Sequence, residues 1–423
     1  MTLQQTLALA IFVLTMVLIM SDKIHHTAAA VLGAVLMILT RVLDFDKAVS
    51  YIDFGTIGML IGMMLFVAVV KNSGIFEYLA IKSAKLVKGR PWRIMIAFVV
   101  ITAALSAFLD NVTTVLLVGP MTLAITNMLD INPVPYMMAE VLASNAGGTA
   151  TLIGDPPNIM IGTAANLNFM DFISNTGVDV VLVIAAFLVI FYFIYGKNMK
   201  VDEAHIQKVL KLDENLAVKD KSLLRKSVVM IVLVVAGFIF HAQLGIDSAM
   251  VAFAAAAVMM IIGRQDVEET VADVEWTTIL FFIGLFIVVG GLKEAGIIDL
   301  VAKAIVRFTG GNLIVTMILI LWLSAILSSF MDNIAFVATL IPMITAIGTS
   351  LHTDVTCLWW ALSLGACLGG NGSIIGASCN VVLTGISGKN GYPISFKDFF
   401  KVGFPMMLIS VGISTVYLLI KFA

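Results

Sequence analysis

The chain has 423 residues, of which 60% are apolar and only 12% charged. Its formal net charge is −2, so no basic surface for a nucleic-acid partner is expected. Hydrophobic runs of roughly twenty residues recur along it, which fits a polytopic protein in a lipid bilayer and excludes an ordinary soluble domain.

The first run, residues 6–20, has no basic n-region and no small-residue cleavage site. It is read as a retained first helix over 5–20 and not as a signal peptide. Helix 2 is expected over 27–43 and helix 3 over 54–70. The stretch 71–93 is amphipathic, with Ile75, Leu79 and Leu86 on one face and Lys82, Lys85 and Lys88 on the other. That pattern predicts a helix lying in the interface. Two apolar pieces follow, 94–109 and 112–129, hinged at Asp110-Asn111. Together they exceed one crossing, so a re-entrant hairpin is expected. Helix 5 starts near Pro135, breaks at Gly147-Gly148 and resumes after Pro156-Pro157. Backbone groups freed by such breaks must be buried in protein or line a cavity. Helix 6 covers 178–195, and the charged stretch 197–226 separates two halves.

The second half repeats the first. At a constant spacing of 222, Phe108 falls on Phe330, Asp110 on Asp332, Asn111 on Asn333 and Pro120 on Pro342. Gly147-Gly148 falls on Gly369-Gly370, Gly154 on Gly376 and Asn158 on Asn380. An ungapped offset over this span indicates an internal duplication. Beyond Asn158 the register slips by five, aligning Phe169 with Phe396. Helices are expected over 228–241, 248–262 and 276–292. A second interfacial helix follows over 293–309, then a hairpin over 313–347. A helix broken from Gly369 to Asn380 and a last helix over 404–419 complete the half.

The predicted fold is therefore all-α and polytopic, with about ten crossings, two re-entrant hairpins and two broken helices. Five crossings per repeat is odd, so the repeats must be inverted. Residues 1–200 form the first repeat, 201–222 a cytoplasmic linker and 223–423 the second repeat. The window 71–93 holds Lys71, Lys82, Lys85, Lys88, Arg90 and Arg93, against only Lys293, Lys303 and Arg307 in its equivalent. The positive-inside rule puts the richer window and the linker in the cytoplasm and both chain ends outside.

Four irregular elements converge in this scheme. Half-helix ends offer amides and carbonyls to a solute. The candidate ligands are Asp110, Asn111, Thr113, Thr114, Thr149, Thr151, Asp155 and Asn158 from the first repeat. Asp332, Asn333, Asn371, Ser373 and Asn380 come from the second. Gly147, Gly148, Gly369 and Gly370 are expected to let the backbone approach the solute. Hard oxygen ligands suit a small cation, and sodium is assigned to Asp110, Asn111, Asn158, Asp332, Asn333 and Asn380. Asp155 has no acidic twin, since position 377 is Ala377. Intramembrane carboxylates without a nearby Lys or Arg suit sodium, protons or a neutral solute better than a free anion. Each tip aspartate also fits a helix N-cap. Glu140 is a candidate proton acceptor or a structural pair. Cys367 and Cys379 flank the second break, either to meet a thiophilic solute or as packing residues. The five histidines show no ligand spacing and receive no role.

The strings SAFLDNVTTV and SNAGGTATLIGDPPN resemble the ion transporter superfamily. It includes arsenite permeases, D-type sodium/proton antiporters, the P protein and, more distantly, divalent-anion/sodium symporters. The resemblance covers essentially the whole chain and implies a homodimer with a scaffold, a mobile domain and elevator-type alternating access. In the symporters the tips read Ser-Asn-Thr, whereas here Asp110 and Asp332 precede the asparagines. That departure argues against dicarboxylate symport. The expectation is a plasma-membrane secondary transporter and not an enzyme, exchanging a small cation for protons, with sodium or H⁺ as coupling ion and no other cofactor. Arsenite or antimonite efflux, an anion or carboxylate transporter, and a channel are the alternatives. No P-loop is present, so ATP is not expected to bind this chain, and an ATPase partner subunit stays open.

Overall fold

The computed structural model describes residues 2–21 and 23–423, and within them all regular structure is helical. In the first half α1 is Leu3–Met20, α2 His26–Leu39, the short α3 Phe45–Ser50 and α4 Phe54–Lys71. Next come α5 (Ile75–Leu86), α6 (Pro91–Ser106), α7 (Asn111–Leu129), α8 (Val134–Thr149) and α9 (Pro156–Ala165). The short α10 (Phe169–Phe172) runs through one π turn into α11 (Val178–Ile194). The linker holds α12 (Glu203–Leu210). The second half has α13 (Lys221–Leu244), α14 (Ser248–Gly263), α15 (Val267–Ala272), α16 (Trp276–Glu294), α17 (Ile297–Phe308) and α18 (Leu313–Ser328). It ends with α19 (Asn333–Leu351), α20 (Thr356–Gly369), α21 (Ser378–Lys389) and α22 (Phe396–Phe422).

The offset of 222 maps α5, α6 and α7 residue for residue onto α17, α18 and α19. Even the unusual backbone recurs. Gly74 and Gly296 open α5 and α17 at φ 78° and 72°, where a Cβ would be strained. Lys88-Gly89 and Gly310-Gly311 repeat a left-handed pair. The direction of the copies follows from two ion pairs. Lys71, at the end of α4, meets Asp273 just before α16, at 2.8 Å. Lys47, just before α4, pairs with Glu294 at the end of α16. So α4 and its own copy α16 run antiparallel, and the repeats are inverted.

Among the described residues, eight helices are long and apolar enough to cross a membrane. Two of these, α7 and α19, are second arms of hairpins. The other six, with the shorter apolar α2 and α14 and the two broken pairs α8–α9 and α20–α21, match the number of crossings expected from the sequence. Along their spans α4 and α16 are 67% and 61% buried, against 28% for α1. The first two therefore form the middle of a scaffold, where α4 packs on α14 and α2 on α16. The hairpins and broken helices form a second, core layer.

Two local expectations change. Helix 2 stops at Leu39 rather than at 43, because Arg41 turns left-handed at φ 55°. In α5 the buried face is Ile75, Phe76, Ala80 and Ala84, while Leu79 and Leu86 are exposed. Its polar face is not simply solvated, since Lys85 donates to Leu212 O at 2.8 Å and pairs with Glu214 of the linker. In the second half, α17 meets α18 at a bend of 118°.

Candidate functional site

The two hairpin tips are built by capping chemistry. After α6 ends, Asp110 turns the chain into α7 by accepting Thr113 N–H at 2.8 Å and the Thr113 hydroxyl at 2.5 Å. Thr114 donates back to the Asp110 carbonyl at 2.9 Å. Its twin Asp332 caps α19 by accepting Ile334 N–H at 2.9 Å. The cap reading of both aspartates is thus realised, and each tip presents its carboxylate to a cavity as well.

That cavity has a volume of about 390 Å³. From the core it is lined by Asp110, Asn111, Asp155, Asp332 and Asn333. Asp155 joins the two tips in this wall. Its Oδ1 accepts Nδ2–H of Asn111 at 3.5 Å, and its two oxygens accept Nδ2–H of Asn333 at 3.5 and 3.4 Å. From the scaffold the wall is His25, His26 and Thr27 at the start of α2, with Glu275, Thr277 and Thr278 at the start of α16. Thr27 ties the two helix ends together by donating to Thr277 O at 2.7 Å. The histidines, given no role above, therefore have a position at the site. Both were invisible to spacing because their neighbours in the wall lie some 250 residues away, as the Thr27–Thr277 bond illustrates.

The remaining candidates stand behind the wall and hold it. Asn158 Nδ2 donates to Gly148 O, Thr149 O and Thr151 O at 3.3, 3.2 and 2.9 Å. Asn380 repeats this on Gly370 O and Ser373 O, both at 2.8 Å. Thr151 donates to Ala107 O, and its twin Ser373 to Ser329 O at 2.5 Å, so each broken helix is pinned to the hairpin of its own repeat. Thr149 returns to Asn145 O, and Thr113 lies on a neighbouring cavity with Lys71. The glycines do not meet the solute space. A Cβ on Gly147 would lie 2.2 Å from Ala103 O, and one on Gly369 2.7 Å from Ala325 O. Gly148 and Gly370 likewise face the Gly154 and Gly376 carbonyls. Their role is close helix-to-hairpin packing, which corrects the expectation of backbone approach to the solute.

The residue that sequence reasoning missed is Asn145. Fully buried, it donates to Asn371 Oδ1 at 2.9 Å and Asn380 Oδ1 at 3.0 Å, and accepts from Asn111 Nδ2 at 3.3 Å and Cys379 Sγ at 3.0 Å. Its twin is Cys367, which contacts Asn158 Oδ1 at 3.6 Å. Each repeat thus locks the other repeat's asparagine. Both thiols are fully buried and outside the cavity wall, serving as weak donors. Glu140 is buried between α7 and α8, where it accepts from the Thr122 hydroxyl. It too is away from the cavity wall.

Inverted helical repeats that bring two hairpin tips and two broken helices to one polar cavity are the architecture of a multi-pass membrane transporter. The comparisons with known proteins agree and identify the family. The model of the citrate transporter family matches residues 16–365, and the chain belongs to that family, within the ion transporter superfamily. It is 41% identical to an uncharacterized transporter of Mycobacterium tuberculosis, over 98% of both chains. It is 33% identical to the P protein of Sus scrofa, over 99% of this chain and 59% of that one. Its fold resembles that of Neisseria gonorrhoeae MtrF, a structure said to illuminate a class of antimetabolite efflux pumps. The TM-score is 0.62 at 12% identity, covering 99% and 95% of the chains. The protein is a plasma-membrane transporter and not an enzyme.

Proposed function

We propose that this transporter exchanges a small cation, sodium in the first instance, against protons. Asp110, Asp155 and Asp332 serve as the carriers, and Asn111 and Asn333 supply neutral oxygens. One observation carries the reading. Buried Asp155 and Asp332, half-buried Asp110 and Glu275 share one cavity, and among the described residues none of its lining side chains is Lys or Arg. Such a cavity repels a free anion and needs a cation or proton for charge balance.

The cavity wall is divided between scaffold and core, so sliding of the core against α2, α4, α14 and α16 would expose the tips alternately. This elevator motion, and a homodimer that holds the scaffold still, belong to the same proposal. Light scattering on detergent-solubilised protein checks the dimer.

A carboxylate substrate is the second reading, favoured by the family's name and by His25 and His26 in the wall. Arsenite efflux is weakened by the position of Cys367 and Cys379 behind the wall. The deciding experiment uses proteoliposomes with an internal pH dye. Exchange predicts proton movement on addition of sodium or another alkali cation, without citrate. Uptake of labelled citrate with no cation-driven proton movement would replace the proposal with the second reading.

A further inference from the structure

We infer that the two repeats share a single coupling-ion position, between their two tips at Asp155, and do not hold one each. The inference rests on the cation-exchange reading above. It starts from the one break in an otherwise faithful duplication. Asp155 and Ala377 are twins, and their backbones are alike, with φ and ψ of −142° and 132° against −151° and 144°. Both directly precede the second half of a broken helix. Both pack their Cβ beside a glycine of the preceding turn, Gly148 and Gly370. Only the side chain differs.

The position of that side chain explains the difference. Asn111 and Asn333 are twins, and both donate Nδ2–H to Asp155, at 3.5 Å from its own repeat and at 3.5 and 3.4 Å from the other. The Asp155 carboxylate is thus shared equally between the two twin amides. By the symmetry of the repeats, a carboxylate at position 377 would approach the same two amides from the opposite side. Two carboxylates there could not both stay ionised. One acid between the twin asparagines serves both tips, and alanine is what the second copy then requires.

Two features follow. The transported charge per cycle is set by one central position, and the acid need not come from the first repeat. Both are tested in proteoliposomes. In the wild type, the dependence of proton movement on cation concentration should have a Hill slope near one. A slope approaching two overturns the inference, and this needs no variant to fold. Asp155→Ala should lower coupled flux by at least about 100-fold, as loss of a unit charge beside the ion implies. Asp155→Ala combined with Ala377→Asp should recover flux to within about tenfold of the wild type. A well-folded double variant, monodisperse and melting like the wild type, that stays as inactive as Asp155→Ala overturns the shared position and leaves cation exchange standing. A wild type that moves no protons with any alkali cation removes both.

Discussion

The tip aspartates cap their helices and, in the proposed exchange, also carry charge, and a single substitution separates the two. Asp110→Asn and Asp332→Asn keep the shape of the cap, because one side-chain oxygen survives to accept Thr113 N–H or Ile334 N–H. Asn and Asp are about equally good N-caps, so the helix start loses little. At Asp110 the Thr113 hydroxyl loses its carboxylate acceptor, worth about 1–2 kcal/mol, part of which returns if the amide donates to that hydroxyl. The structural cost is therefore about 1 kcal/mol. The cost to a bound cation is larger. A unit charge at ~4 Å contributes ~4 kcal/mol at an effective dielectric constant of about 20, or close to a thousandfold in affinity. An amide also cannot take up and release a proton near neutral pH. At least one of the two variants should therefore fold, melt within a few degrees of the wild type and lose pH-dependent flux in proteoliposomes. Wild-type flux with an unchanged pH profile in both would show that the carboxylates are caps only, and the exchange mechanism would fall.

Other perturbations probe the framework. Gly147→Leu should fail at folding and not merely at transport, because even a Cβ meets Ala103 O at 2.2 Å. Gly385→Ala, with nothing within 4 Å of the added carbon, should express and melt like the wild type. Asn145→Ala removes the donor to two buried amide oxygens and should cost about 2–4 kcal/mol in a thermal melt. Asn145→Cys copies the twin residue and should cost less. Single cysteines at positions 85 and 208 should resist an impermeant thiol reagent in intact cells, while those at 303 and 423 should react. The three native cysteines are buried and give little background. Labelling at 85 but not at 303 would invert the assigned orientation.

The duplication was legible because it fixes residue types at one spacing, and helix bounds then followed it residue for residue through α5–α7 and α17–α19. The tips were legible for a related reason, since a lone Asp-Asn inside an apolar run admits few meanings. Two parts of the site were not. The scaffold wall is made by α2 and α16, whose ends meet through Thr27 and Thr277, and no local pattern announces that meeting. Asn145 was hidden by its own asymmetry, because a comparison of repeats rewards identical pairs and its twin is Cys367. Both are hydrogen-bond donors to the opposite asparagine, so the role repeats while the letter does not. The glycines were misjudged in function because a missing side chain signals close approach without saying to what.

Inverted repeats with identical sequences would make the two end states of a sliding core equal in energy, so the side chains that differ decide which state is favoured. In this structure the cavity lies at the end of the scaffold where Lys71 meets Asp273, with Glu275 and His26 in its wall. Their twins, Asp53 and Ser248, lie toward the other face, where Lys47 meets Glu294. There Asp53 accepts the Thr56 hydroxyl at 2.6 Å, and Thr56 touches the Thr163 hydroxyl of the core at 3.4 Å. The same pair recurs at the cavity as Thr278 donating to Glu275 at 3.1 Å, with no equivalent of Thr163 against it. One copy of the motif is thus closed against the core while the other stands at the open cavity. Under the proposed motion they exchange these states, and the shorter carboxylate of Asp53 and the loss of a histidine at Ser248 make the second state a different environment for the same tips. Under that motion the preference between the two end states comes from a few unequal twins and not from the shared fold, while the direction of net flux follows the ion gradients.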